Sequence, residues 1–183
     1  MERGRLILKP PRFNLTLQRL AHQLIENYGQ FEQTCLIGIQ PRGVELSDRI
    51  YTLITEIIPG HQAKYGKLDI TFYRDDFRLR KALKANDTEM DFVVEDQRVV
   101  LIDDVLYTGR TIQAALTALN YFGRPKNVEL LVLIDRRFNR EIPIHADYIG
   151  TSVDAVDEAH VVVDWDLNPA KNEVRLFKKK MED

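Results

Sequence analysis

One tract limits the possible folds of this chain more than any other: Val99-Val100-Leu101-Ile102-Asp103-Asp104-Val105-Leu106-Tyr107-Thr108-Gly109-Arg110-Thr111. Its four leading apolar residues predict a strand buried on both faces, as in a parallel sheet covered by helices on each side. Two carboxylates follow, expected at an exposed strand end. A short loop of small and hydroxylated residues comes next. Ile112, Ala115, Leu116 and Leu119 then recur at helical spacing and predict an amphipathic helix. Loop amides at a helix N-terminus form an anion site, because unpaired N–H groups and the helix dipole point the same way. Gly109 lets the backbone approach a ligand closely, and Thr108 and Thr111 add hydroxyl donors. The segment therefore offers phosphate donors beside two acids. A ligand with both a phosphate and vicinal hydroxyls, or a metal, would use both halves.

Strands and helices alternate along the rest of the chain. Leu17, Leu20, Ala21 and Leu24 share one helix face, with Gly29 as a stop. Residues 36–39 read as a buried strand. Leu46, Ile50, Leu53, Ile54 and Ile57 mark a second helix, ended by Pro59-Gly60. Residues 68–72 are a strand candidate, and 74–92 are polar, charged and weakly periodic, hence a long loop. Residues 128–134 form another apolar strand, and 147–150, 161–163 and 174–177 read as short ones. This α/β order predicts a parallel central sheet with right-handed crossovers, whose ligands sit beyond the carboxyl ends of the strands.

Composition narrows the function classes. The 183 residues, 44% of them apolar, suffice for one sizeable core and one domain. A formal net charge of −2 is not that of a protein that lives by neutralising many phosphates, although a local basic patch stays open. The single cysteine, Cys35, excludes an intramolecular disulfide and a thiol metal cluster; it reads as a buried strand residue. No apolar run reaches the roughly 18 residues of a membrane span, and the N-terminus lacks the apolar core of a signal peptide. A cytoplasmic protein is expected.

Three further segments share the ligand side of the sheet. Gln40-Pro41-Arg42-Gly43 links a strand to a helix; the planar fork of Arg42 suits a pyrophosphate. Thr71-Phe72-Tyr73-Arg74-Asp75-Asp76 opens the charged loop. Asp135-Arg136-Arg137-Phe138-Asn139-Arg140-Glu141 follows a buried strand. His22, His61, His145 and His160 read as surface or supporting residues. The run Lys178-Lys179-Lys180 reads as a solvated tail.

The tract 99–111 resembles the phosphoribosyl pyrophosphate (PRPP) signature of the type I phosphoribosyltransferases. Its wording Asp-Asp-Val-Leu-Tyr-Thr-Gly-Arg-Thr is most similar to the pyrimidine operon attenuator / uracil phosphoribosyltransferase family, PyrR. The likeness spans about residues 14–178 and is specific also at 119–125 and 146–150. It implies the type I phosphoribosyltransferase fold, a single domain over 1–183 with a small C-terminal hood over roughly 140–178. It implies that PRPP and uracil are converted to UMP and pyrophosphate, with Asp103 and Asp104 as catalytic residues facing the ribose hydroxyls. Tyr107, Thr108, Gly109, Arg110 and Thr111 would grip the 5-phosphate. Pro41, Arg42, Gly43 and Arg74 would hold pyrophosphate, and Mg²⁺ would be held mainly by PRPP and water. Family members carry Thr-Arg-Gly at the pyrophosphate loop, with a cis bond before the arginine; here Pro41 replaces the threonine and removes one N–H. Arg78, Arg80, Lys81 and Lys84 would belong to a lid that excludes water. Arg140 and Val161 would contact the base or nucleotide, although the chain has one extra residue before Arg140 and lacks the family's glycine there.

The same resemblance implies a homo-oligomer, a dimer or tetramer, and a leader mRNA bound in response to UMP through Arg19 and His22 on the first helix. Gln18 and Asn27 stand where the family has a hydroxyl and an arginine. The acidic stretch 153–159 replaces lysines. Two alternatives stay open at this point: an RNA-binding attenuator with little catalysis, and a purine phosphoribosyltransferase with a different hood.

Overall fold

The computed structural model describes residues 4–74, 87–155 and 159–177. Asp75, Asp76, Arg78, Arg80, Lys81, Lys84 and the lysine run 178–180 lie outside the described residues. The chain runs β1 (Arg5–Leu8), α1 (Pro10–Tyr28), β2 (Thr34–Ile39), α2 (Gly43–Ile57), β3 (Lys64–Leu68), β4 (Arg98–Leu106), α3 (Arg110–Leu119), β5 (Asn127–Arg137), β6 (Tyr148–Asp154), β7 (His160–Asp164) and β8 (Glu173–Phe177). The central sheet has the order β3-β2-β4-β5-β6, and every neighbouring pair is parallel.

The apolar strand runs exist because helices cover both faces. Successive residues of β4 point to opposite cores. Val100 and Ile102 join Leu20, Leu24, Leu46, Ile50 and Ile54 under α1 and α2. Val99 and Leu101 join Ile112, Ala115, Ala118 and Leu119 under α3. Leu116, expected on that face, is 37% exposed, while Ala114 and Ala118 are buried. The small alanines let α3 lie close to the sheet and turn the contact face away from Leu116. Pro10 and Pro11 start α1, since proline presets the helical φ, and Gly29 (φ +58°) ends it.

The edge strand differs from the sequence expectation. β3 ends at Leu68, and Thr71–Tyr73 form a short 3₁₀ turn rather than strand. Asp69 Oδ1 accepts from Thr71 N (3.2 Å) and Thr71 Oγ1 (2.7 Å), so the side chain captures the backbone that would extend the ladder. Lys64, Tyr65 and Lys67 lack the apolar signature because an edge strand is buried on alternate residues only.

A second, antiparallel sheet of order β1-β8-β7 forms the hood. Its β1 has no local sequence signal; the short segment Arg5–Leu8 gains its partner from the far end of the chain, with Arg5 opposite Leu176. β6 belongs to the central sheet, so the second sheet comprises β1, β7 and β8. Arg49 of α2 fastens the hood: its guanidinium lies 4.5 Å from the Trp165 ring and donates to the Asp166 carbonyl. Among the described residues no helix is long and apolar enough to cross a membrane.

Candidate active site

At the carboxyl end of β4 a cavity of about 480 Å³ is lined by Arg74, Asp103, Val105, Leu106 and residues 107–112. The 107–111 loop forms one wall. Gly109 caps α3 at φ +94°, and a Cβ there would also stand 3.1 Å from Ile142 Cβ. The backbone angle therefore favours glycine, and a side chain there would also crowd Ile142. Gly109 offers no side chain to cap α3, and the Arg110 N–H donates instead to Thr108 Oγ1 at 3.4 Å.

Asp103 and Asp104 depart from the expectation of exposed strand-end residues. β4 continues to Leu106, with Asp103 opposite Val132 and Leu106 opposite Asp135. Both acids therefore lie inside the strand and are only 6% and 5% exposed. Burial, then the charge of Asp104, holds the Asp103 carboxyl well above the usual carboxylate range. The Asp104 N–H to Asp103 Oδ1 (2.9 Å) and the charges of Arg42 and Arg74 oppose this. Burial also raises Asp104, against the charge of Arg42.

Arg42 reaches the acids through its neighbour. Gly43 opens α2 directly against β4; a Cβ there would overlap the Ile102 carbonyl oxygen and stand 3.1 Å from Asp103 Cα. The glycine thus serves helix–strand contact, not ligand approach. The cis peptide bond of this loop is Gln40–Pro41, not the bond before Arg42. Gln40 Nε2 donates to the Asp87 carbonyl at 2.8 Å. Arg74 follows the 3₁₀ turn and faces the cavity from the opposite edge.

Other candidates lie elsewhere. Arg140 donates to Asp135 and to the Tyr107 carbonyl and is not among the cavity-lining residues. Val161 of β7 is buried with Leu8, Val174 and Leu176 in the hood, likewise outside the cavity lining. Arg19 is exposed on α1, and its Nη2 donates to the carbonyls of Ile149 (3.0 Å) and Gly150 (2.6 Å). His22 is exposed on the same helix. The ligand-side segment that begins at Asp135 is expected from the sequence, but no role is expected there for Asp135, Glu141 or Ile142, which touch the 107–111 loop or its partners. Among the described residues no group of three or more His, Cys, Asp or Glu could hold a metal ion.

Comparison with known proteins agrees with this geometry. Residues 6–168 match the phosphoribosyl transferase domain. The chain is 45% identical over 167 residues to the bifunctional protein PyrR of Caldicellulosiruptor bescii, covering 90% of this chain and 91% of that protein. It is 35% identical over 184 residues to the bifunctional protein PyrR of Bacillus mycoides, covering 98% and 100%. In fold it is similar to the hypoxanthine phosphoribosyltransferase of Trypanosoma cruzi (TM-score 0.72, 14% identity, 96% of each chain). The Staphylococcus aureus hypoxanthine phosphoribosyltransferase gives a TM-score of 0.70 at 20% identity, covering 96% of this chain and 93% of that one. A parallel sheet, a glycine-cornered loop and two strand-embedded acids meet in a chain that belongs to the PyrR family, within the type I phosphoribosyltransferase fold.

Proposed function

We propose that the protein transfers the phosphoribosyl group of PRPP to uracil, releasing UMP and pyrophosphate. The carrying observation is that an anion-ready loop, buried Asp103 and Arg74 line one cavity, with Asp104 next in the strand and Arg42 near enough for its charge to act on both acids. The loop 107–111 holds the 5-phosphate. Asp103 and Asp104 accept hydrogen bonds from the ribose hydroxyls. Arg42 and Arg74 take the pyrophosphate. As the bond from the ribose carbon to pyrophosphate breaks, positive charge grows on that carbon and negative charge on the leaving group. A buried carboxylate pair favours the first and arginines favour the second, with little reorganisation at the moment of reaction. Uracil N1 forms the new bond, pyrophosphate leaves with the electron pair of the broken one, and the N1 proton passes to the leaving pyrophosphate, directly or through water.

Mg²⁺ fits this site as a companion of PRPP. The two acids supply hard oxygen ligands, too few for an all-protein cage and suited to an ion that keeps substrate oxygens and water. When bound, it would neutralise pyrophosphate charge and favour ionised Asp103 and Asp104.

Pyrophosphate release from PRPP with uracil, hypoxanthine, guanine and orotate in parallel tests the reading. Release with uracil is expected. Release with hypoxanthine or guanine but not uracil would establish the purine alternative, since the purine-enzyme neighbours share the fold alone. A second activity, binding of a leader mRNA in the presence of UMP, is supported by the bifunctional naming of the relatives and by exposed Arg19 and His22 on α1, outside the cavity lining.

A further inference from the structure

The segment after β5 runs beside the 107–111 loop and takes up its carbonyls. The amides of Glu141 and Ile142 both donate to the Thr108 carbonyl at 3.0 Å. Arg140 Nη1 donates to the Tyr107 carbonyl, while its Nη2 donates to Asp135 Oδ1 at 2.6 Å. That ion pair is sheltered, with side chains 22% and 13% exposed. Arg110 Nε donates to Glu141 Oε2 at 2.5 Å, and the Arg136 guanidinium lies 3.8 Å from the Tyr107 ring centroid. Two consecutive loop carbonyls are thus turned toward residues 140–142. In a trans peptide the C=O and the following N–H point in opposite directions. Holding the Tyr107 and Thr108 carbonyls outward therefore turns the Thr108 and Gly109 amides away from 140–142, toward the cavity that the loop lines.

We propose that Arg140, anchored by Asp135, is a positioning residue: through the Tyr107 carbonyl it orients the Thr108 amide toward the 5-phosphate of PRPP and UMP, beside the Gly109 amide that Glu141 and Ile142 set, rather than contacting the base. This rests on reading the cavity as a PRPP site. The 5-phosphate is held before, during and after transfer, so a disordered loop weakens substrate and transition state alike. The loss belongs in KM and Kd, not in kcat.

The test uses the full chain with Arg140→Ala, Asp135→Asn, the double variant and Arg140→Lys. Calorimetry measures UMP and pyrophosphate binding, and steady-state kinetics measure PRPP and uracil. Loss of one charge-assisted hydrogen bond corresponds to a rise of about ten-fold in the UMP Kd and the PRPP KM. The kcat, the uracil KM and the pyrophosphate Kd should stay within about two-fold by the same reasoning. The double variant should be no worse than either single one, because the two side chains act as one unit. Arg140→Lys should remain impaired, since an ammonium lacks the fork that spans Asp135 and the Tyr107 carbonyl. A raised uracil KM with unchanged PRPP KM would overturn the proposal and make Arg140 a base contact. Parallel loss of pyrophosphate affinity, or additive single effects, would overturn it equally. Wild type that binds neither UMP nor PRPP would instead remove the PRPP reading itself, and would show this before any variant is made.

Discussion

Asp103 is a charged residue placed inside a strand. It lies within β4, where its neighbours are valine and isoleucine, and it shares the interior with a second carboxyl. Burial and the charge of Asp104 raise its proton affinity in the folded chain. A raised folded-state value means that the folded form binds the proton more tightly than the unfolded one. The stabilising protonation is present below the ordinary value of 3.8 and is lost as pH rises through the folded value. Thermal melting of wild type minus Asp103→Asn, followed from acid to neutral pH without ligand, should therefore show wild type losing ground as pH rises; a flat difference would contradict the burial argument. Arg42 carries the opposite charge beside the pair. Arg42→Ala should weaken PRPP and pyrophosphate binding by about ten-fold or more, the scale of a lost charged hydrogen bond. UMP, which has no pyrophosphate, should bind nearly unchanged; equal loss for both ligands in calorimetry would make Arg42 structural.

At the scale of elements, helix starts decide the site. α2 opens on Gly43, where only a glycine fits against Ile102 and Asp103, and this contact brings Arg42 beside the acids. Gly43→Ala should destabilise the fold by about 1–3 kcal/mol through overpacking. It should also raise the PRPP KM by displacing Arg42; a variant with unchanged melting and kinetics would refute the tight contact. α1 has a different task. Arg19 spends its guanidinium on the Ile149 and Gly150 carbonyls and so ties α1 to β6. Arg19→Ala with His22→Ala should leave PRPP turnover in place while lowering leader-RNA affinity and the steepness of its salt dependence. Unaltered, UMP-stimulated RNA binding by this double variant, measured by filter binding across salt concentrations, would place the RNA face elsewhere.

Across the whole molecule, the legible parts were those specified locally. The double-sided apolar runs of β2, β4 and β5, the helical spacings of α1 and α2, and the loop at Gly109 each follow from neighbours within a few residues. β1 did not, because its pairing with β8 spans the full chain and no local pattern announces it. The burial of Asp103 and Asp104 was illegible for the same reason: a polar pair reads as a strand end until β5 is known to run alongside it to Asp135. Arg140 was named from the resemblance, but its actual partners, Asp135 and the Tyr107 carbonyl, are set by how the segment after β5 folds back. The fold thus places two acids where stability alone would favour apolar or neutral residues, a pattern expected where function dictates sequence. UMP formation from PRPP and uracil, measured alongside thermal melting for wild type, Asp103→Asn and Asp104→Asn, tests this most directly. The expected result is a turnover loss of about a hundred-fold or more in each variant, the scale of a lost electrostatic stabiliser, with melting temperatures at neutral pH equal to or above wild type. Full turnover in both variants, or melting temperatures that fall with activity, would contradict the assignment of this buried pair to the chemistry.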